Sequence, residues 1–175
     1  MFSPDLHCEK NLSIVGFLAR GHPFPKGCLP EVVFERLVEL ADHPFFCYGG
    51  YHTCDLGWCV LRVPWRSQPR PTLRYKGRLL ALGATDIFVP GDGVVYHAPT
   101  LILHYIRHHK YLPPSCFVDA VLGCPIPGSS EHAAAIRSIA PWLRFTTYAA
   151  SGPRSKRTPT GPVSDQRPPA RPSSS

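Results

Sequence analysis

The chain has 175 residues, 43% of them hydrophobic, with a formal net charge of +7. That length and apolar content suffice for one buried core and exclude a chain disordered throughout. No run approaches the roughly 18 consecutive apolar residues of a membrane span, and the N-terminal residues, with Asp5, Glu9 and Lys10 ahead of a short apolar run, lack the long apolar centre of a secretory signal.

Leu12 to Leu18, LSIVGFL, reads as a strand with Gly16 as a bulge. The following RGHPFPKGCLP, residues 20–30, carries two glycines and three prolines, and reads as a loop. Pro30 suits the first turn of a helix, where its missing N–H costs nothing. Val33, Leu37 and Leu40 recur at helical spacing behind it, with Phe34 and Val38 widening the stripe, so a helix is predicted over about Pro30 to Ala41. His43-Pro44 closes it.

Phe45 to Tyr48 reads as a short strand ended by Gly49-Gly50, and Trp58 to Val63 as another. Between them YHTCDLGWC brings His52, Cys54 and Cys59 close in sequence. Thr72–Leu82 is a predicted hairpin turning at Lys76-Gly77. Asp86–Pro90 and Val94–His97 form a second hairpin about Gly91-Asp92-Gly93. Pro99 opens a predicted second helix to about Lys110, carrying His104, His108 and His109. Pro113-Pro114 starts a third, whose apolar face is Phe117, Val118, Val121 and Leu122 and whose end is Gly123. Ser130 and Ala133–Ile139 make a last short helix, N-capped by Ser129 or Ser130, and Trp142–Tyr148 reads as extended.

From Ser151 onward the chain is Ser, Pro, Arg and Gly, with Val163 its one large aliphatic. Such a segment buries too little to fold and is predicted to be a disordered basic tail. The expected architecture is therefore α+β: one domain over residues 10–149, with a small, mostly antiparallel sheet packed against three or four helices, and a tail over residues 150–175. Seven cysteines in no compact disulfide pattern point to a reducing cytoplasm, with thiols free or bound to metal.

Several pieces recur in an order that resembles a family of small, uncharacterised bacterial proteins. They are GFLARGHPFPKG, the helix after Pro30, GGYHTCDLGWC, VPGDGVVYHAPTLILHYI and HKYLPPSCFVDAVL. The shared marks are an RGHPFP loop, a G-x-H-x-C segment, and a Y-x-A-P-x-x-I-x-H-Y-I helix followed by H-x-Y-x-P-P. The resemblance spans most of residues 12–123 and carries no activity with it. It matches His52 and Cys54 to the G-x-H-x-C segment, and His104 and His109 to the helix. His108 has no counterpart. The family's pattern has a second cysteine at C-x-x-C spacing; Gly57 stands there in this chain, and the next cysteine is Cys59.

Cysteine and histidine are the residues from which zinc sites are built. Cys54 and Cys59 precede a strand, and the histidines share a helix. His104 and His108, four residues apart, lie on one helical face, whereas His109 is turned roughly 140° from His104. Spacing thus favours His104 with His108, and the resemblance favours His104 with His109. The candidate ligand set is Cys54, Cys59, His104 and His109, with zinc as the cofactor it would hold. The bland reading is that both cysteines are small buried hydrophobes and the histidines complement a helix C-terminus.

Two other functions compete. A thiol/His-dependent enzyme would use Cys54 or Cys59 as nucleophile, His52 or His104 as base, and Asp55 or Asp92 to orient the base. A small interaction or ligand-binding domain would draw on the aromatics near turns, among them Phe24, Tyr51, Trp58, Tyr105 and Tyr111. The latter, with an unidentified protein or small-molecule partner, is the least specific reading and the one the sequence favours. Arg107, His108, His109 and Lys110 form a basic helix end, but with no RNA-recognition or helix-turn-helix signature they imply no specific nucleic-acid partner.

Overall fold

A computed structural model describes residues 11–47, 51–56 and 71–143. The Trp58–Val63 strand, Cys59 and the basic tail fall outside these residues. The fold is α+β, as expected. In chain order the elements are β1 (Leu12–Ile14), α1 (Glu31–Asp42), β2 (Phe46–Cys47), β3 (Thr72–Tyr75), β4 (Arg78–Ala81), β5 (Thr85–Pro90), β6 (Val95–Pro99), α2 (Ile102–His109), α3 (Ser115–Gly123) and α4 (Ser130–Ile139).

Four strands form one sheet in the order β1-β6-β5-β2, and β3 and β4 form a separate hairpin. All pairs are antiparallel except β1 with β6. The centre is the β5–β6 hairpin, which pairs Pro90 with Val95. Its loop closes with the Gly91 N–H donating to Val94 O at 2.8 Å, and Gly93 takes φ +65° there.

Both faces of this hairpin are covered, which is why β5 reads as a continuous apolar run rather than an alternation. Ile87, Val89, Tyr96 and Ala98 face the main core. There they meet Phe34, Leu37 and Val38 of α1, Ile102 and Ile106 of α2, and Phe117 and Val121 of α3. Phe88 and Val95 point the other way, toward Ile136 of α4 and Ala140. Burying the side chains of either face is worth about 1.5–3 kcal/mol each relative to exposure. Arg36 ties α1 to the end of α3, donating to Cys124 O at 2.6 Å and Pro125 O at 2.9 Å. The β3–β4 hairpin is fixed to α1 by the Tyr75 hydroxyl, which donates to Glu31 Oε1 at 2.6 Å, and by a Lys76–Glu35 ion pair.

Three boundaries differ from expectation. The first strand ends at Ile14 rather than Leu18. Val15 still donates to His97 O at 2.9 Å, but Gly16 then adopts φ +78°, and a Cβ there would lie 2.7 Å from Ile102 Cδ1. Gly16 is thus a strand terminator where the chain crosses α2 closely, not a bulge. Pro99 does not open α2. It is the last residue of β6, paired with Asp86, and Thr100 holds the chain on the sheet by directing both its N–H and its hydroxyl to Thr85 O at 2.9 Å. The helix starts only at Ile102. Trp142 and Leu143 lie in and after a turn, and the rest of the Trp142–Tyr148 stretch falls outside the described residues. The N-cap of α4 is Ser129, whose side chain accepts from the His132 N–H at 3.1 Å.

Candidate metal centre

Three separate pieces of chain converge at the C-terminal end of α2. That end is set by Lys110, which takes a left-handed conformation at φ +58° and turns the chain out of the helix. The residues that follow are met by the loop before α1. Lys26 bridges Tyr111, the Gly27 N–H donates to Lys110 O at 2.9 Å, and the Leu112 N–H donates to Pro25 O at 3.0 Å. Phe24 lies edge-on to the Tyr111 ring at 6.0 Å. The prolines of the loop suit this extended geometry, since they fix φ and need no donor partner. The third piece, residues 51–56, is anchored by the His52 N–H, which donates to Gly83 O at 2.7 Å.

Cys54, His104 and His109 meet where these pieces join. One donor atom from each lies within 4.8 Å of the other two, and all three residues are half-buried. Cys54 Sγ is 3.3 Å from His109 Nε2. For zinc bonded to sulfur and nitrogen at its usual lengths, the edges of the tetrahedron are about 3.5 Å, so the spacing suits a common metal ion. Among the described residues no carboxylate belongs to the cluster.

The electrostatics favour neutral imidazoles. Burial, then the neighbouring His108 and His109, push His104 down to about 4. Burial, followed by His108 and Lys26, also lowers His109. A histidine must give up its proton to ligate a metal, and here the protein has already made that form the stable one at neutral pH.

Of the four residues read as ligands, the structure brings together Cys54, His104 and His109; Cys59 lies outside the described residues. The trio includes His109, not the His108 that helical spacing pairs with His104. His108 is exposed and stacks on His104 at 4.8 Å between ring centroids, outside the trio. His104 and His109 sit far apart around the helix, yet their rings close to 5.2 Å because imidazoles reach well beyond the backbone. His52 enters through its backbone and is not in the trio. Asp92 sits in the β5–β6 loop and lines a different cavity, with Tyr96 and Cys116.

Sequence reasoning missed the wall beside the trio. A cavity of about 240 Å³ is lined by Arg20, His22, Phe24, Lys26, Leu56 and His109. The signal was present in RGHPFPK, whose basic residues alternate with turn-formers. Two further histidines also went unread. His97 hydrogen-bonds the buried Asp86 through Nε2 and stacks on Phe88 at 4.7 Å. His132, fully buried, bonds Phe88 O through Nε2 at 3.0 Å.

Among the described residues no helix is long and apolar enough to cross a membrane. No curated protein and no solved structure matches the chain. The sequence pieces that meet at the trio all fall inside residues 3–122, the stretch that matches a domain of unknown function, DUF7919, and the chain belongs to that family.

Proposed function

We propose that this is a zinc-binding domain whose ligands are Cys54, His104 and His109. The convergence of one thiol and two imidazoles within 4.8 Å carries the reading. Residues packed only for burial or for helix capping have no reason to aim sulfur and nitrogen at a common point. The mixed thiolate and imidazole set selects zinc over calcium or magnesium, which take oxygen ligands. The free thiols of Cys28, Cys116 and Cys124 support a reducing compartment such as the bacterial cytoplasm. A partner-binding role fits on top of this site, with the metal holding the Cys54 segment to α2.

Elemental mass spectrometry of the purified full chain tests the proposal. One zinc per chain is expected, lost in Cys54→Ser and in His104→Ala. Protein prepared without chelator, supplied with zinc and still metal-free would overturn it.

The 3.3 Å Cys54–His109 contact also favours a second reading, a thiol activated by a histidine. Alkylation by iodoacetamide separates the two. An activated thiol reacts fast and slows in His109→Gln, whereas a zinc ligand is protected until the metal is chelated.

A further inference from the structure

We infer that the end of α2 and the loop before α1 form a basic face that binds single-stranded nucleic acid through its phosphates, without sequence preference. The inference does not depend on the metal. Two hollows flank the crossing where the Gly27 N–H donates to Lys110 O at 2.9 Å. Lys26 and His109 line the first, together with Arg20 and His22. Gly27 and Lys110 line the second, together with Arg107. The hollows are therefore neighbours on one surface, and each carries its own pair of permanent cations.

This charge is uncompensated. Arg36, Lys76 and Arg78 each hold a carboxylate, from Glu39, Glu35 and Asp42. Arg20, Lys26, Arg107 and Lys110 are exposed, and among the described residues none of them has a carboxylate partner. Among the described residues lining the two hollows Glu31 is the one acid, and its carboxylate already accepts from the Tyr75 hydroxyl at 2.6 Å. Residues 57–70, which continue the chain from Leu56, contain no acidic side chain. Gathered like charges repel, and a polyanion relieves the repulsion. Two of the cations are steadied over rings: Lys26 Nζ lies 5.6 Å from the Phe24 centroid, and the Arg107 guanidinium 5.7 Å from that of Phe34. Arginine and lysine are the usual partners of backbone phosphates, and half-buried Phe24 gives the first hollow an aromatic surface for a base. A duplex groove is read by a helix or ribbon laid into it. Here α2 has Leu103, Tyr105 and Ile106 buried in the core and offers only its last turn. A single strand can bend into two adjacent hollows, and a duplex cannot.

The test is fluorescence anisotropy of a labelled oligothymidylate about ten nucleotides long, within the usual span of a single-strand groove, titrated with the full chain. Saturable binding that weakens with added salt is expected. Arg20→Gln with Lys26→Gln strips the first hollow, and Arg107→Gln with Lys110→Gln strips the second. Arg154→Gln with Lys156→Gln removes the same charge from the C-terminal stretch. Each hollow variant should weaken binding by about tenfold at low salt. Each should also flatten the plot of log K against log salt by about 1.4, the loss of two phosphate contacts on a single strand. The C-terminal variant should change both much less. Circular dichroism checks each fold, and either hollow variant alone carries the comparison. No binding by the parent chain would overturn the inference. So would equal effects in all three variants, which is a response to net charge alone. Polyglutamate that displaces the oligonucleotide at equal charge concentration would overturn it too, and would make the partner an acidic protein segment.

Discussion

Gly83 and His52 are locked together through their backbones. The His52 N–H donates to Gly83 O at 2.7 Å, and a Cβ on Gly83, whose φ is +81°, would lie 2.2 Å from His52 O. The segment that carries Cys54 is thus moored to the turn before β5 at a position only glycine can occupy. Gly83→Ala is expected to destabilise the fold by more than the about 1–2 kcal/mol of a left-handed alanine, because the blocking atom is backbone and cannot rotate away. On the proposed zinc reading it should also weaken the metal by about tenfold or more, since a shift near 1 Å in one ligand degrades the site. Thermal unfolding and competition with a chelating dye read both effects.

His104 makes the metal-free protein sensitive to acid. The unfolded chain takes up this proton near the ordinary histidine value, but the folded chain does so only at about 4. Between those values protonation favours the unfolded state. Stability is therefore complete above about pH 6.5 and falls as the pH drops toward 4, by an amount on the order of 2 kcal/mol. His109 and His132, whose values are also lowered by burial, act in the same direction. Urea midpoints measured from pH 7.5 to pH 4 should show a shallower decline in His104→Gln than in the parent. Parallel slopes would refute the assignment.

His132 links α4 to the sheet. Its Nε2 donates to Phe88 O at 3.0 Å, and its Nδ1 accepts from the Gly128 N–H at 3.4 Å. His132→Leu keeps most of the volume but removes both partners, and should cost about 1–3 kcal/mol. His132→Ala adds a cavity against Phe45, whose ring lies 4.9 Å away, and should cost about 2–5 kcal/mol. Equal denaturation midpoints for the two variants would show that the site collapses freely.

Phe117 is fully buried and meets the Tyr96 ring edge-on at 5.6 Å. It packs α3 onto the face of the β5–β6 hairpin opposite α4. Phe117→Ala should cost about 3–5 kcal/mol, a large share of the roughly 5–15 kcal/mol that holds an ordinary domain folded. Phe117→Leu should be tolerated in circular dichroism melts at a reduced transition temperature.

The α+β class and the order of elements were legible because the local signals agreed. Val33, Phe34, Leu37 and Val38 recur at helical spacing, and Gly91-Asp92-Gly93 marks a turn between two apolar runs. Element ends were less legible because tertiary contacts set them. Pro99 is a sound helix opener by local rules, but Thr100's two bonds to Thr85 keep it on the sheet. Gly16 reads as a bulge until the closeness of Ile102 is known. At the site, the residue types pointed to Cys54 and the α2 histidines. Spacing along one helix points to His108, whereas the trio takes His109, because the third donor comes from another part of the chain, 55 residues before His109. The role of the RGHPFPK loop was hidden for the same reason: its partners at Lys110 and Leu112 are joined to it only by folding.

The sheet order β1-β6-β5-β2 has a consequence for the time course of folding. Its centre is a local hairpin, joined to α2 by two residues, whereas β1 must find β6 from more than 80 residues away. Short-range contacts form early and distant ones wait on chain search. The loop at Arg20–Gly27 and the Cys54 segment therefore dock late, onto a hairpin and helix already in place. His104 and His109 would be waiting first. On the proposed zinc reading, added zinc should leave the earliest stopped-flow refolding phase unchanged and act on the last one, by holding the Cys54 segment once it arrives.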